Sequence, residues 1–292
     1  MKSWKIGAIA GLIAGIAFAV GNLLISIPIT FELGFAGAYS PLFESSFTKI
    51  ASIEIAVNII LGIIYGVIYS RAYRIIPGKG FLKGLTFGLF GILICNIYFA
   101  IINLPYSMFQ WVGFYLTYGI SGWIAYGLVL GISYEILQKR NAPLEKEPKI
   151  IEYAMKGGII PGGIAGALGG LGTFFTVFFF VYTGIWPIYP KELIDLTFII
   201  GQLGTQIMIH LIPGIILGAI YAKAYNLVPG KGVIKGLVYG LIATFLMNEF
   251  RAILMNLFYG YIPLLITVLF TGITVAIFFG LVLGLLYRKP PK

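Results

Sequence analysis

One cysteine and one histidine occur in 292 residues, and only 10% of the residues are charged. Each scarcity excludes something. A lone Cys95 can form neither an intrachain disulfide nor a thiolate metal cluster. A lone His210 rules out histidine-rich metal sites. There is no Ser-His-Asp set, no HExxH, no Walker spacing and no paired intramembrane Asp. The chain is therefore read as a non-enzyme, with no catalytic residues, no metal and no cofactor. A soluble domain carries about 25% charged residues, so this chain has too few to cover a water-facing surface. What is present instead is 59% hydrophobic residues and a mean hydropathy of +0.98. Lipid is the natural solvent for such a chain.

The net charge is +10. On a soluble protein that would point to nucleic acid, but the placement of the basic residues points elsewhere. Apolar runs of about 20 residues define transmembrane helices. Eight are expected, at 6–27, 51–70, 82–103, 112–136, 157–183, 196–222, 234–257 and 262–287. The first 25 residues resemble a signal peptide, but the apolar run after Lys5 is long enough to span and reads as a retained helix. With these spans, 17 of the 20 Lys and Arg fall on one side, while Lys49 and Lys191 fall on the other and Arg251 lies inside a span. The positive-inside rule then places both termini in the cytoplasm. The bilayer, with its anionic headgroups, is the expected partner, and nucleic acid is not. Abundant Lys with scarce Cys and His is the composition of a heat-adapted microbe, and the expected location is a prokaryotic cytoplasmic membrane.

Two stretches nearly coincide. "IYSRAYRIIPGKGFLKGLTFGL" at 68–89 matches "IYAKAYNLVPGKGVIKGLVYGL" at an offset of 152. The first span matches the fifth at an offset of 151, and the fourth matches the eighth at 153. The expected fold is an all-α polytopic membrane protein with eight transmembrane helices, a tandem duplication of a four-helix unit. The halves are 1–140 and 154–292, joined by a charged cytoplasmic linker at 141–153. A finer repeat makes each half two hairpins. Every even span ends in Gly-x-x-x-Gly-x-x-Tyr, with the pairs Gly62 and Gly66, Gly127 and Gly131, Gly214 and Gly218, and Gly280 and Gly284. Every odd span opens with Lys and a Gly-x-x-x-Gly. Small residues spaced by four let helix backbones approach closely. The Tyr of each even span (Tyr69, Tyr134, Tyr221 and Tyr287) is expected at headgroup depth, and the Lys of each odd span is expected to snorkel to the interface. Pro-Gly-Lys-Gly reads as a repeated cytoplasmic turn.

Polar residues inside a span are functional candidates by default. At about 1.5 Å per residue, Asn58 and His210 sit near mid-membrane. Glu54 and Gln206 lie one turn further out on the same face, and Gln202 continues it. Asn96, Asn248, Glu249 and Arg251 occupy the outer halves of the third and seventh spans. These nine residues are expected to line a polar pocket between spans 2, 3, 6 and 7 that opens outward. Glu54, His210 and Glu249 would supply charge or proton coupling, the amides would orient a ligand, and Arg251 would balance charge or bind an anion. A small-solute or ion transporter or channel-like protein is the leading expectation. The alternative is a non-catalytic subunit of a larger membrane complex whose glycine faces pack partner helices. With no room for a nucleotide-binding domain, any energising ATPase would be a separate chain. The run "FFTVFFFVY" at 174–182 is expected to face lipid.

Overall fold

The computed structural model describes residues 3–34, 47–97, 100, 109–141, 156–183, 196–244, 253, 254, 257 and 262–287. The described residues contain helices, turns and no strand. Six helices are long and apolar enough to cross a bilayer, the architecture of a multi-pass integral membrane protein: Ser3–Glu32, Thr48–Ala72, Val112–Arg140, Gly157–Phe180, Ile199–Ala224 and Val268–Leu286. The expected spans at 82–103 and 234–257 contain the shorter apolar helices Phe81–Ile97 and Gly232–Thr244. Much of their outer halves lies outside the described residues.

The chain divides into two compact units, Met1–Lys149 and Ile150–Lys292. Unit 1 contains α1 (Ser3–Gly21), a π-helical segment Asn22–Ser26, α2 (Ile27–Glu32), α3 (Phe47–Ala72), α4 (Phe81–Ile92), a second π-helical segment Leu93–Ile97, α5 (Phe109–Thr117) and α6 (Ile120–Asn141). Unit 2 contains α7 (Lys156–Tyr182), α8 (Leu196–Ala224), α9 (Gly232–Thr244) and α10 (Ile262–Leu286). In unit 1, α1 packs on both α3 and α6, and α4 packs on α6. In unit 2, α7 packs on both α8 and α10, and α9 packs on α10.

Glycine makes these contacts. Gly7 and Gly11 of α1 lie against Gly66 and Gly62 of α3, so close that a Cβ on any of the four would overlap the facing backbone carbonyl. Gly158 and Gly162 meet Gly218 and Gly214 in the same way. On the other pair of unit 1, a Cβ on Gly127 would stand 2.7 Å from the Gly84 carbonyl oxygen, and one on Gly88 would stand 2.5 Å from that of Trp123. Gly131 meets the backbone of Phe81, and Gly236 and Gly240 lie against Gly280 and Gly284. Lipid tails are as apolar as leucine, so there is little hydrophobic gain from helix association in a bilayer. Backbone proximity and dispersion carry the packing instead.

The two Pro-Gly-Lys-Gly turns have the same shape. Gly78 and Gly80 have φ of 104° and 53°, and Gly230 and Gly232 have 97° and 50°. That left-handed backbone admits glycine without strain. The lysine that follows each turn does not snorkel outward. Lys83 donates to the Tyr73 carbonyl at 2.6 Å with its ammonium 4.3 Å from the Tyr73 ring centroid. Lys235 donates to the Tyr225 carbonyl at 2.6 Å and stands 4.1 Å from the Tyr225 ring centroid. Each turn leaves carbonyls without intrahelical partners, and the ammonium satisfies one while lying over the ring. Lys5, by contrast, is exposed.

The four repeated tyrosines are also buried, rather than presented to headgroups. Tyr69 packs edge-on against Tyr134 at 5.2 Å and Tyr73 at 5.5 Å. Tyr221 packs against Tyr287 at 5.2 Å and Tyr225 at 5.4 Å. Each unit thus closes one end with three clustered tyrosines and a lysine. The aromatic run 174–182 is divided: Phe175, Phe179 and Tyr182 are exposed, while Phe174 and Phe180 are buried. A helical period of 3.6 turns part of any continuous run inward.

Glycine packing makes a testable distinction. Gly62→Ala and Gly214→Ala are each expected to destabilise the purified protein by about 1–3 kcal/mol through overpacking. Gly201 has no atom within 4 Å of an added Cβ. Gly201→Ala is expected to be neutral or to stabilise by up to about 1 kcal/mol. Thermal unfolding in detergent compares the three.

Candidate functional site

A carboxylate inside a bilayer protein needs hydrogen-bond donors, because desolvation without them is costly. Glu54 on α3 is 0% exposed. Its Oε2 accepts from Asn22 Nδ2 at 3.0 Å and from Asn58 Nδ2 at 2.8 Å. Its Oε1 accepts from the Tyr118 hydroxyl. Asn58 Nδ2 also donates to the Glu54 backbone carbonyl at 2.7 Å, the contact expected at i, i+4 spacing. Donors therefore come from the start of the first π-helical segment, from α3 itself and from the link between α5 and α6.

Of the carboxylate's partners, Asn58 matches the expectation, whereas Asn22 and Tyr118 lie on the first and fourth helical regions of unit 1, outside the pocket expected between spans 2, 3, 6 and 7. Asn96, in the second π-helical segment, donates to the backbone carbonyls of Tyr115, at 2.8 Å, and Tyr118. It joins the cluster only through Tyr118, whose carbonyl it holds and whose hydroxyl reaches Glu54. A π-helical segment adds a residue to a helical turn and is common at functional sites. Here each of the two carries a buried asparagine. The side-chain oxygens of Asn22 and Asn96 are buried and accept no hydrogen bond among the described residues.

A file of hydroxyls continues from the cluster. Ser26 and Thr30 follow Asn22 at successive intervals of four, and all three are buried. Ser26 Oγ lies 2.7 Å from Ser121 Oγ, which also bonds the Gly21 carbonyl at 2.7 Å. Thr30 Oγ1 lies 2.9 Å from Thr117 Oγ1 and donates to the Ser26 carbonyl at 2.7 Å. Sequence reasoning missed Asn22, Ser26, Thr30, Thr117, Tyr118 and Ser121. The signal was available: Asn, Ser and Thr spaced by four form one polar stripe on an apolar helix.

Unit 2 holds different chemistry at the matching positions. Asn22 corresponds to Thr173, Glu54 to Gln206, Asn58 to His210 and Tyr118 to Thr271. His210 Nδ1 lies 2.8 Å from the Gln206 backbone carbonyl. A carbonyl only accepts, so Nδ1 carries the proton. Nε2 lies 3.3 Å from Thr173 Oγ1, whose hydroxyl also reaches the Gly169 carbonyl at 3.2 Å. In the neutral ring Nε2 only accepts, so it shares the single Thr173 hydroxyl proton with the Gly169 carbonyl. Gln202 and Gln206 are half-buried. The Thr271 hydroxyl oxygen is buried without a partner among the described residues. Where unit 1 has Ser26, Thr30 and Thr117, unit 2 has Val177, Val181 and Phe270, while Ser121 is matched by Thr274, so most of the file has no counterpart. Asn248, Glu249 and Arg251 lie outside the described residues.

Tyr118→Phe removes the hydroxyl that reaches Oε1 and is expected to cost about 1.5–3 kcal/mol, the range for hydrogen bonds to charged groups. Ser133→Ala removes a hydroxyl that bonds carbonyls of its own helix, Val129 at 2.6 Å and Leu130 at 3.4 Å. That change is expected to stay within about 0.5 kcal/mol. Differential scanning fluorimetry of the two variants checks the difference. No protein-family model matches the chain, and neither a curated protein nor a solved structure is significantly similar to it.

Proposed function

We propose that this chain is a small-solute or ion transporter, or a channel-like protein, whose polar path runs through unit 1. One observation carries the reading. A fully buried carboxylate stands at the end of a file of buried and half-buried hydroxyls, inside a unit of apolar helices. An ionisable group at that depth is expensive to keep. The hydroxyl file supplies polar partners in steps away from the glycine-packed end of the helices.

The alternative is a non-catalytic subunit that offers its glycine faces to partner helices. It draws less support, because Gly62, Gly66, Gly214 and Gly218 are already engaged by glycines of their own unit. The proposal includes a tandem duplication, both termini in the cytoplasm and a prokaryotic cytoplasmic membrane as location. Three features support the duplication: the same helix pairs pack in each unit, the two turns share their φ angles, and the same lysine–tyrosine contact closes each.

Reconstitution in liposomes tests the transport reading. Glu54→Gln is expected to lower flux of the transported solute or ion at least about tenfold, equivalent to about 1.4 kcal/mol. His210→Ala and Glu249→Gln are measured beside it. Unchanged flux of every tested solute in all three variants removes the site assignment.

A further inference from the structure

Asn22 is the residue in contact with the Glu54 carboxylate that the hydrogen-bond pattern leaves incomplete. Its side chain is 0% exposed. Its nitrogen donates to Glu54 Oε2 at 3.0 Å, yet its oxygen has no donor among the described residues. A buried amide oxygen ordinarily has a partner. This oxygen shares a carbon with the nitrogen that touches the carboxylate, so it lies at the edge of the same cluster. Carboxylate, amide oxygen and hydroxyl are the ligands of hard cations. Glu54, Asn22 and Tyr118 bring these three types together, and the Ser26 and Thr30 hydroxyls continue the oxygen series.

We propose that unit 1 binds a monovalent alkali cation, of the sodium type, between the Glu54 carboxylate and the Asn22 side-chain oxygen. The inference rests on the reading of the Glu54 cluster as the transport site and names its ion. Half a turn about the last bond of the Asn22 side chain exchanges its N–H for its oxygen. The amide then donates to the carboxylate when the site is empty and ligates the cation when it is filled. The single carboxylate sets the valence. A monovalent ion neutralises it, whereas a divalent ion would leave a net positive charge enclosed by apolar helices. A transition metal is not served, since no group of three or more His, Cys, Asp and Glu able to hold a metal occurs among the described residues. The hydroxyl file gives the ion successive oxygens along the first π-helical segment and α2, the start of α6 and the end of α5. Unit 2 has Gln206 in place of the carboxylate and Val177 and Val181 in place of Ser26 and Thr30. The site therefore belongs to unit 1.

Thermal unfolding of the full-length purified protein, in NaCl, KCl and N-methylglucamine chloride at matched ionic strength, tests the proposal. NaCl is expected to raise Tm by about 5 °C once sodium exceeds its Kd about a hundredfold. N-methylglucamine should leave Tm unmoved. Asn22→Ala and Glu54→Gln should lose the sodium shift, while Gly201→Ala should keep it. Should Glu54→Gln fail to fold, Asn22→Ala and binding of radiolabelled sodium to the wild type still decide. Equal Tm in all three salts overturns the proposal, as does a sodium shift that survives both site variants, or a Tm that follows pH while ignoring sodium. Solute flux that is indifferent to sodium overturns the cation site and leaves transport standing. Saturable sodium binding without flux of any solute supports the site and removes the transport reading.

Discussion

Direct backbone contact between glycines is the constraint from which the rest of each unit follows. With no side chain between them, α1 and α3 approach until the carbonyls of one helix meet the Cα atoms of the other. Such contacts add weak Cα–H···O attraction to dispersion. The zipper reaches the polar residues as well. A Cβ on Gly15 would overlap the Asn58 carbonyl, and Cβ atoms on Gly166 and Gly170 would overlap those of His210 and Gln206. The residues that carry chemistry therefore sit on backbone whose position is set by glycine. Asn22, two turns beyond Gly15 on the same helix, is thereby held within reach of Glu54.

The polar clusters show what a shared framework permits. In both units the α-helix bearing the second glycine face presents two polar residues four apart toward the first helix. Unit 1 fills these positions with a carboxylate and an amide. Unit 2 fills them with an amide and an imidazole. The glycine contacts are alike, while the side chains differ and the π-helical turn at Asn22–Ser26 is matched by plain α-helix within Lys156–Tyr182. Unit 1 also gains the Ser26, Thr30 and Thr117 hydroxyls. Ser121 is matched in unit 2 by Thr274, which bonds Thr176 at 3.2 Å. Two similar frames thus hold one long polar file and, in the other, a single hydroxyl pair.

Much of the helical framework could be read from the sequence, because apolar runs, GxxxG spacing and the Pro-Gly-Lys-Gly turns are local signals. Glu54 and Asn58 stood out for the same reason, as polar residues in an apolar helix at i, i+4 spacing. Their partners did not. Asn22 lies 32 positions from Glu54 and Tyr118 lies 64 away, and no periodicity links such residues. The tyrosines were misplaced because a tyrosine at a span end suits headgroups and a ring cluster equally well. Packing of all three rings against one another, two pairs edge-on and one tilted, decides in favour of the cluster. Lys83 and Lys235 were misplaced because helix-start position does not say whether the side chain turns outward or back to a carbonyl.

That backward turn of Lys83 and Lys235 changes what the headgroup region senses. An ammonium held on a carbonyl and covering a ring is partly removed from the counter-ion atmosphere. The electrostatic footprint of the folded chain on anionic lipid is therefore weaker than its formal charge of +10 suggests, and it rests on the lysines and arginines left outside the two clasps.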